Sequence, residues 1–411
     1  MWVAAAVYLA GCSASRPGPR TGPGAGSFGG QRPLLGLTEA EAAALADRPE
    51  LQARVRASPY TYFRLLSNAF SQRVCAEFEP LEDEMPLVNL HGDAHLEQYA
   101  ITLVAHGLDD FDEAGTGPAV VDLVRFASSI HMACRSTGFA CDPEAAVEAF
   151  LDAYQMALAD PDAPVPTPAW VERARRRLPV ERATFLGWAE SLMEKPDPRA
   201  RQRIMNRWAL FARLMVKLRT PSSDDYFAVV RMGSTVIGIG SALDTKFLLR
   251  IRGETDSPDD DVIVEIKPMN EVTAPCLLRP PAGGMLRTLL PAARLGRLHP
   301  EVLGYLPWEP ESEDESQWWI HSWDFGYREL RVADLTSQTD LEDIARDVGL
   351  QLGRGHCLGI AAPLEDLHRA TQARALDLTR DQVRRLSHEL AGEVFQSWVR
   401  FREGSTGGGS R

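Results

Sequence analysis

Apolar positions along the chain follow first one period and then another. Leu87 to Leu90 is a short apolar run that reads as a buried strand. From Asp122 onward Leu123, Phe126, Ala127, Ile130 and Cys134 recur at helical spacing, with Asp122 and Arg125 off that stripe. Upstream, Thr38 and Glu41 form a capping box ahead of an Ala/Leu-rich helix, and a second helical stretch with Tyr60, Phe63 and Leu65 follows Ser58-Pro59. Asp142 to Thr220 is mostly helical, interrupted by the Pro-rich loop Pro161 to Pro168 and including an amphipathic segment at Asn206 to Leu218. Near Tyr226 the pattern changes to strands: Tyr226 to Arg231, Lys246 to Arg252 and Val262 to Lys267, the last two joined by an acidic loop around Asp256 to Asp261. Trp318, Trp319 and Ile320 read as a further buried strand. Helices return at Leu341 to Leu358 and Arg380 to Phe401. The expectation is a helix-rich α+β fold.

Segmentation follows from these changes. Residues 1–35 read as a signal and tether, 36–220 as a helical half, 221–335 as a β-rich half, 336–403 as C-terminal helices and 404–411 as a flexible tail. Met1 to Gly11 is apolar and uncharged and ends in Leu9-Ala10-Gly11-Cys12, which resembles the bacterial lipoprotein box. Behind it, Ser13 to Arg32 is rich in Gly, Pro, Arg and Ser and cannot build a core. The expected location is the cell envelope, anchored to the membrane by lipid on Cys12; the alternative is a cytoplasmic protein behind a mis-assigned start. A net charge of −13 over 411 residues argues against nucleic acid as a partner, since phosphate neutralisation needs a basic face. The six cysteines contain no CxxC pair, which argues against zinc, and a Cys134–Cys141 disulfide is left open.

The candidate chemistry lies in one stretch. His91-Gly92-Asp93-Ala94-His95 stands directly behind the first strand, and Asp110, Asp112 and Glu113 follow in DDFDE. Gly115, Gly117 and Pro118 then mark a loop before the helix. Two acidic loops delivered by ordered flanks are the usual construction of an active site. Asp93, Asp110 and Asp112 are expected to converge on one pocket with a divalent metal or Lys267 compensating their charge. Later in the chain, RMGSTVIGIGS carries Gly233, Gly238, Gly240 and Ser241, and the strand VIVEIK ends in Lys267. Glycines there let backbone approach phosphates, and the lysine pairs with them. Arg64 and Arg328 are weighed as anion contacts and Arg354 and His356 as further site residues, each against a structural role.

These motifs resemble the catalytic half of aminoglycoside phosphotransferases and related small-molecule kinases, whose HGDxHxxN, Asp-aromatic pair and Asp-Leu-Ala helix start become His91 to His95, Asp110-Phe111 and Asp122-Leu123 here. The resemblance implies Asp93 as catalytic base with His91 and His95 beside it, and Asp110, Asp112 and Gln98 as Mg²⁺ ligands. Gly238, Gly240, Ser241 and Lys267 would then bind ATP. Gln98 stands where that family carries Asn. The glycine stretch and Lys267 follow the HGD stretch instead of preceding it, so a protein-kinase-like two-lobe architecture would be circularly permuted.

A closer resemblance, through SPYTYFR, GDAHLEQYA, DDFDEAGTGP, GIGS, VEIKP and YREL, is to the uncharacterised bacterial family known as domain of unknown function 2252, from about Ser58 to His356. Three functions are carried forward. The first is a phosphotransferase using nucleotide and divalent metal on a small-molecule hydroxyl. The second is a catalytically inactive kinase-shaped binding protein of the envelope. The third is a metal-dependent phosphoesterase, with His91, Asp93 and His95 on one face of a continued strand.

Overall fold

The computed structural model describes residues 33–178, 181–219, 225–235, 246–269, 273–278, 286–298, 300–306, 318–361 and 363–404. The described residues begin with four helices, α1 (Glu39–Ala46), α2 (Pro49–Ala57), α3 (Pro59–Arg64) and α4 (Ser67–Phe78). Their starts are written in the sequence. The Thr38 hydroxyl accepts from Glu41 N at 3.2 Å while the Glu41 carboxylate takes Thr38 N at 2.8 Å, and the Ser58 hydroxyl caps α3 ahead of Pro59.

Strand β1 (Leu87–Leu90) comes next, then β2 (Tyr99–Ile101), β3 (His106–Leu108) and β4 (Gly115–Pro118). The glycines expected to mark a loop thus lie in a strand, antiparallel to β1 with Leu90 opposite Gly115 and Leu87 opposite Pro118. Close packing explains the composition: a Cβ on Gly117 would meet Leu277 and come within 2.9 Å of Leu90 Cδ1.

Helices α5 (Val120–Cys134), α6 (Pro143–Ala159), α7 (Ala169–Arg175), α8 (Arg182–Ser191) and α9 (Pro198–Arg219) follow. The β-rich part holds β5 (Val229–Thr235), β6 (Lys246–Ile251), β7 (Val262–Pro268), α10 (Leu286–Leu295), β8 (Leu303–Tyr305) and β9 (Trp318–Trp323). Strand β10 (Arg328–Glu329) and helices α11 (Gln338–His356) and α12 (Glu365–Arg402) complete the order. Helix α12 starts well before the expected Arg380. The stretch from Glu365 to Thr379 contains no Gly or Pro and continues the buried stripe through Gln372, Ala375, Leu376 and Thr379.

Strands β5 to β9 form one antiparallel sheet in the order β5-β6-β7-β9-β8. Its faces alternate as strand geometry requires. Phe247, Leu249, Val264, Ile266 and Ile320 pack against Ile204, Trp208 and Phe211 of α9. On the opposite face Leu248 and Ile263 meet Phe185, Leu186 and Ala189 of α8. Glu265 and Lys267 share the face of Ile263, so β7 aims both away from α9.

The largest core gathers the helices on either side of the sheet in sequence. Phe63 and Phe70 meet Phe126 and Phe150, and α11 and α12 return with Ile344, Val348, Val383, Leu390 and Trp398. The chain therefore leaves the helical body to build the sheet and comes back, with β10 pairing to β2 where it re-enters. Among the described residues two disulfides join Cys75 to Cys276 and Cys134 to Cys141, while Cys357 is free and buried. No helix among the described residues is long and apolar enough to cross a membrane.

Candidate active site

Strand β1 ends at Leu90, and the chain turns at Gly92, whose φ of 88° belongs to the left-handed region. A side chain there would strike the carbonyl of Glu113. Asp122, wholly buried at the start of α5, accepts from His91 N at 2.7 Å and Gly92 N at 2.9 Å. Its second neighbour is His356 Nε2 at 3.2 Å, and His356 Nδ1 meets the Tyr154 hydroxyl at 2.8 Å. A buried carboxylate thus fixes the backbone of the HGD loop, with α11 supporting it from behind.

The three ionisable side chains of that loop go to different places. His91 Nε2 lies 2.8 Å from the carbonyl oxygen of Asp109 and its ring packs against Phe111, so it braces one acidic loop against the other. His95 is buried with Nε2 3.4 Å from Asp93, and burial pushes its pKa down to about 4. Asp93 receives Arg125 Nε at 2.8 Å; the same guanidinium stacks 3.7 Å from the centre of the Phe63 ring. Burial works to raise the Asp93 pKa, but Arg125 and His95 outweigh it and hold the carboxyl well below its ordinary range. Asp93 faces the cavity, whereas His91 and His95 do not line it. The period-two face expected for His91, Asp93 and His95 is absent because the strand has already ended.

The second acidic loop is held in a strained backbone, with Asp110 at φ 65°. Lys267, 2% exposed, donates to Asp110 and lies 3.1 Å from Asp112 Oδ2. Arg287 pins the loop by donating to the carbonyls of Ala114 and Asp112 at 2.8 and 2.9 Å. Burial opposes ionisation of Asp110, yet Lys267 and then Lys246 hold its pKa low. Asp112 is pushed up to about 6 by burial and by Asp110. Glu113, which accepts from the Ser67 hydroxyl, is pushed up to about 8 by burial, Asp93 and Asp112.

Across from these loops the sheet presents Lys246, Glu265, Lys267, Trp319, His321 and Trp323. Lys246 pairs with Glu265 at 3.1 Å; the other Glu265 oxygen accepts from Trp323 Nε1 at 2.7 Å and lies 3.4 Å from His321. A cavity of about 660 Å³ lies between sheet and loops, within the size range of small-molecule sites. Asp93, Gln98, Asp110 and Asp112 all line it. With Lys267, five of the residues singled out in the sequence line one cavity. Sequence reasoning missed Arg125, Lys246 and Glu265 as partners, although Glu265 lies two positions before Lys267 on the same strand face. Gly238, Gly240, Ser241 and Cys12 lie outside the described residues.

Hard oxygen donors such as Asp110, Asp112 and the Gln98 amide suit Mg²⁺ chemically. Here Lys267 takes the carboxylate pair, and no group of three or more His, Cys, Asp or Glu among the described residues is set to hold a metal ion.

Fold and site together define a helix-rich α+β protein with a charged cavity between an antiparallel sheet and two acidic loops. The model of a family described as an uncharacterized protein conserved in bacteria (DUF2252) matches residues 49–224. That match includes both acidic loops and stops before the sheet that carries Lys267. No curated protein and no solved structure matches the chain.

Proposed function

We propose that this protein is phosphotransferase-like, binding a nucleotide with a divalent metal and transferring a phosphoryl group to the hydroxyl of a small molecule. One observation carries the reading: Lys267, on the third strand of the sheet in chain order, reaches across the cavity to Asp110 and Asp112 of the loop behind HGD. Kinases put a lysine on their third strand, cover the phosphates with a glycine-rich loop and hold Mg²⁺ with the Asp of an Asp-Phe pair. In this chain the glycine-bearing segment 236–245 connects the first and second strands of the sheet, and α10 follows the third. The sheet follows the loops in sequence, which fits a circularly permuted kinase-like architecture.

In this reading Asp110, Asp112 and Gln98 would hold the metal, which when bound neutralises charge on the phosphates. Lys267 would turn from the carboxylates to the phosphate oxygens. Asp93 would orient the acceptor hydroxyl and take its proton as the new P–O bond forms and the nucleoside diphosphate leaves with the bond electrons. Arg125 keeps Asp93 ionised but makes it a weak base, so its main service is orientation.

That same ion pair favours the second reading, a binding protein without turnover. Two disulfides favour an oxidising compartment and, with the lipoprotein-like box at Cys12, an envelope location where ATP is not supplied. Calorimetry with Mg²⁺ and ATP, followed by labelled phosphoryl transfer to a panel of hydroxyl compounds, separates the readings. Binding with transfer supports the phosphotransferase, binding without transfer supports the second reading, and no nucleotide binding removes the first. Fractionation of cells expressing the native gene tests location: protein in the cytosol with Met1 intact removes the lipid anchor.

A further inference from the structure

Charge is distributed unevenly around the cavity. On the sheet side the cations Lys246 and Lys267 are closed into pairs with Glu265, Asp110 and Asp112. Four arginines line the other end: Arg54 from α2, Arg64 from α3, Arg328 from β10, and Arg331 just beyond it. Arg64 and Arg331 both turn to one oxygen of Glu97, at 3.1 and 3.7 Å, while the other oxygen already accepts from Val332 N at 3.1 Å. Arg331 also meets Glu329 at 2.8 Å, and Arg328 meets Asp334 at 2.7 Å. Glu97, Glu329 and Asp334 are thus ion-paired with Arg64, Arg328 and Arg331, and Asp93, Asp109 and Asp324 line the same cavity.

Arg64 is the telling member. It is 7% exposed, lines the cavity, and its Nε has no hydrogen-bond partner. A guanidinium buried only to hold Glu97 would be expected to satisfy its remaining donor, because an unmet buried donor is costly. Its charge also acts on Asp93. Burial raises the Glu329 pKa despite Arg331 and Arg64, so this carboxylate of the cluster is a weak competitor for it.

We propose that the arginine end of the cavity, beside Asp93, binds the anionic group of the acceptor, which is a hydroxy compound carrying a phosphate or a carboxylate. Planar guanidinium forks suit both groups. That the anion belongs to the acceptor rests on the phosphotransferase reading; the anion site itself does not.

The test is calorimetry on the full chain with glycerol 3-phosphate, glycerate and glycerol, each with and without saturating Mg²⁺ and ATP. One or both anionic probes should bind, and which one does assigns phosphate or carboxylate; glycerol should be silent. Arg331→Ala, at a half-exposed position, should weaken the probe by about tenfold or more. Arg64→Lys, which keeps the charge but loses the fork, should weaken it as well, with both variants checked for an unchanged melt. The site is overturned if neither anion binds the parent, if folded Arg331→Ala and Arg64→Lys bind like the parent, or if Mg²⁺ with ATP displaces the probe. Failure of Mg²⁺ and ATP to bind would sink the phosphotransferase reading while leaving the arginine comparison to decide the anion site.

Discussion

Replacing Lys267 by methionine removes one ammonium and keeps most of the apolar stem. The side chain is almost fully buried between Asp110 and Asp112, with Glu265 also acting on it, so the change leaves carboxylates without their nearest cation. Breaking a buried pair by deleting one partner costs about 3–5 kcal/mol. The cost depends on pH, because the stranded carboxyls can take up protons. In the parent, burial lowers the Lys267 pKa but Asp110 and Asp112 raise it well above the ordinary value, so its contribution persists at all pH below the usual lysine range. Asp110, held low in the fold, contributes above the ordinary carboxylate range and loses that contribution as pH falls through its depressed value.

In Lys267→Met both carboxyls shift upward, Asp112 from a value already near 6. The native state of the variant then binds more protons than the unfolded chain, and its stability falls as pH rises from about 4 toward 8. Urea unfolding should show a deficit of about 1–2 kcal/mol at pH 5 that grows to about 3–5 kcal/mol at pH 8. Millimolar Mg²⁺ should recover part of the loss at pH 8 if the freed pair is a cation seat. A deficit that is the same at both pH values, or below about 1 kcal/mol at pH 8, would refute the buried triad. Absence of any Mg²⁺ rescue would leave Asp110 and Asp112 as partners of Lys267 alone.

Glu113, raised to about 8, binds its proton more tightly in the fold than in the unfolded chain, so it lowers stability as pH rises from about 4.5 to 8; Glu113→Gln should flatten that slope and raise the unfolding free energy at pH 8 by an amount on the order of 2–4 kcal/mol, checked by urea unfolding across this range. Arg125→Lys cannot keep the Nε bond to Asp93, the 3.2 Å bond to the Phe63 carbonyl and the stack on Phe63 together, and should cost about 2–4 kcal/mol in urea unfolding; parent-like stability would show that charge alone matters there. Cys75→Ser, which opens the bridge to Cys276, should cost about 2–4 kcal/mol under oxidising conditions, and the difference from the parent should vanish in excess reductant.

Local features were legible in the sequence where local physics decides them. The run Leu87 to Leu90, the capping box at Thr38 and the alternation of Val262 to Lys267 correspond to elements found close to those bounds. Gly115 to Pro118 was not legible as a strand, because pairing with β1 is a long-range choice that overrides the turn preference of glycine. The Cys75–Cys276 bridge spans 201 residues, and no spacing rule reaches that far. Within the site, Asp93, Asp110, Asp112, Gln98 and Lys267 were nameable as residue types that phosphoryl transfer needs. Which cation would answer which carboxylate was not, since Arg125 reaches Asp93 from a helix and Lys267 reaches Asp110 from a distant strand.

That division of partners bears on which acidic group does chemistry. Asp93, Asp110, Asp112 and Glu113 all have neighbours, but of different kinds. Asp93 has a guanidinium in a directed hydrogen bond, stacked on an aromatic ring and nearly immobile. Asp110 and Asp112 share a lysine, whose ammonium is a point charge on a four-carbon stem rather than a rigid planar fork. A site meant only to be a stable charge cluster would gain from fixing both pairs in the rigid way. Here the arginine pairs with Asp93, which the proposed function would hold in one orientation, and the lysine with Asp110 and Asp112, which in that proposal would exchange their partner for a metal. The asymmetry fits the proposed nucleotide-binding cleft, in which Lys267 rather than the HGD loop would meet the phosphates.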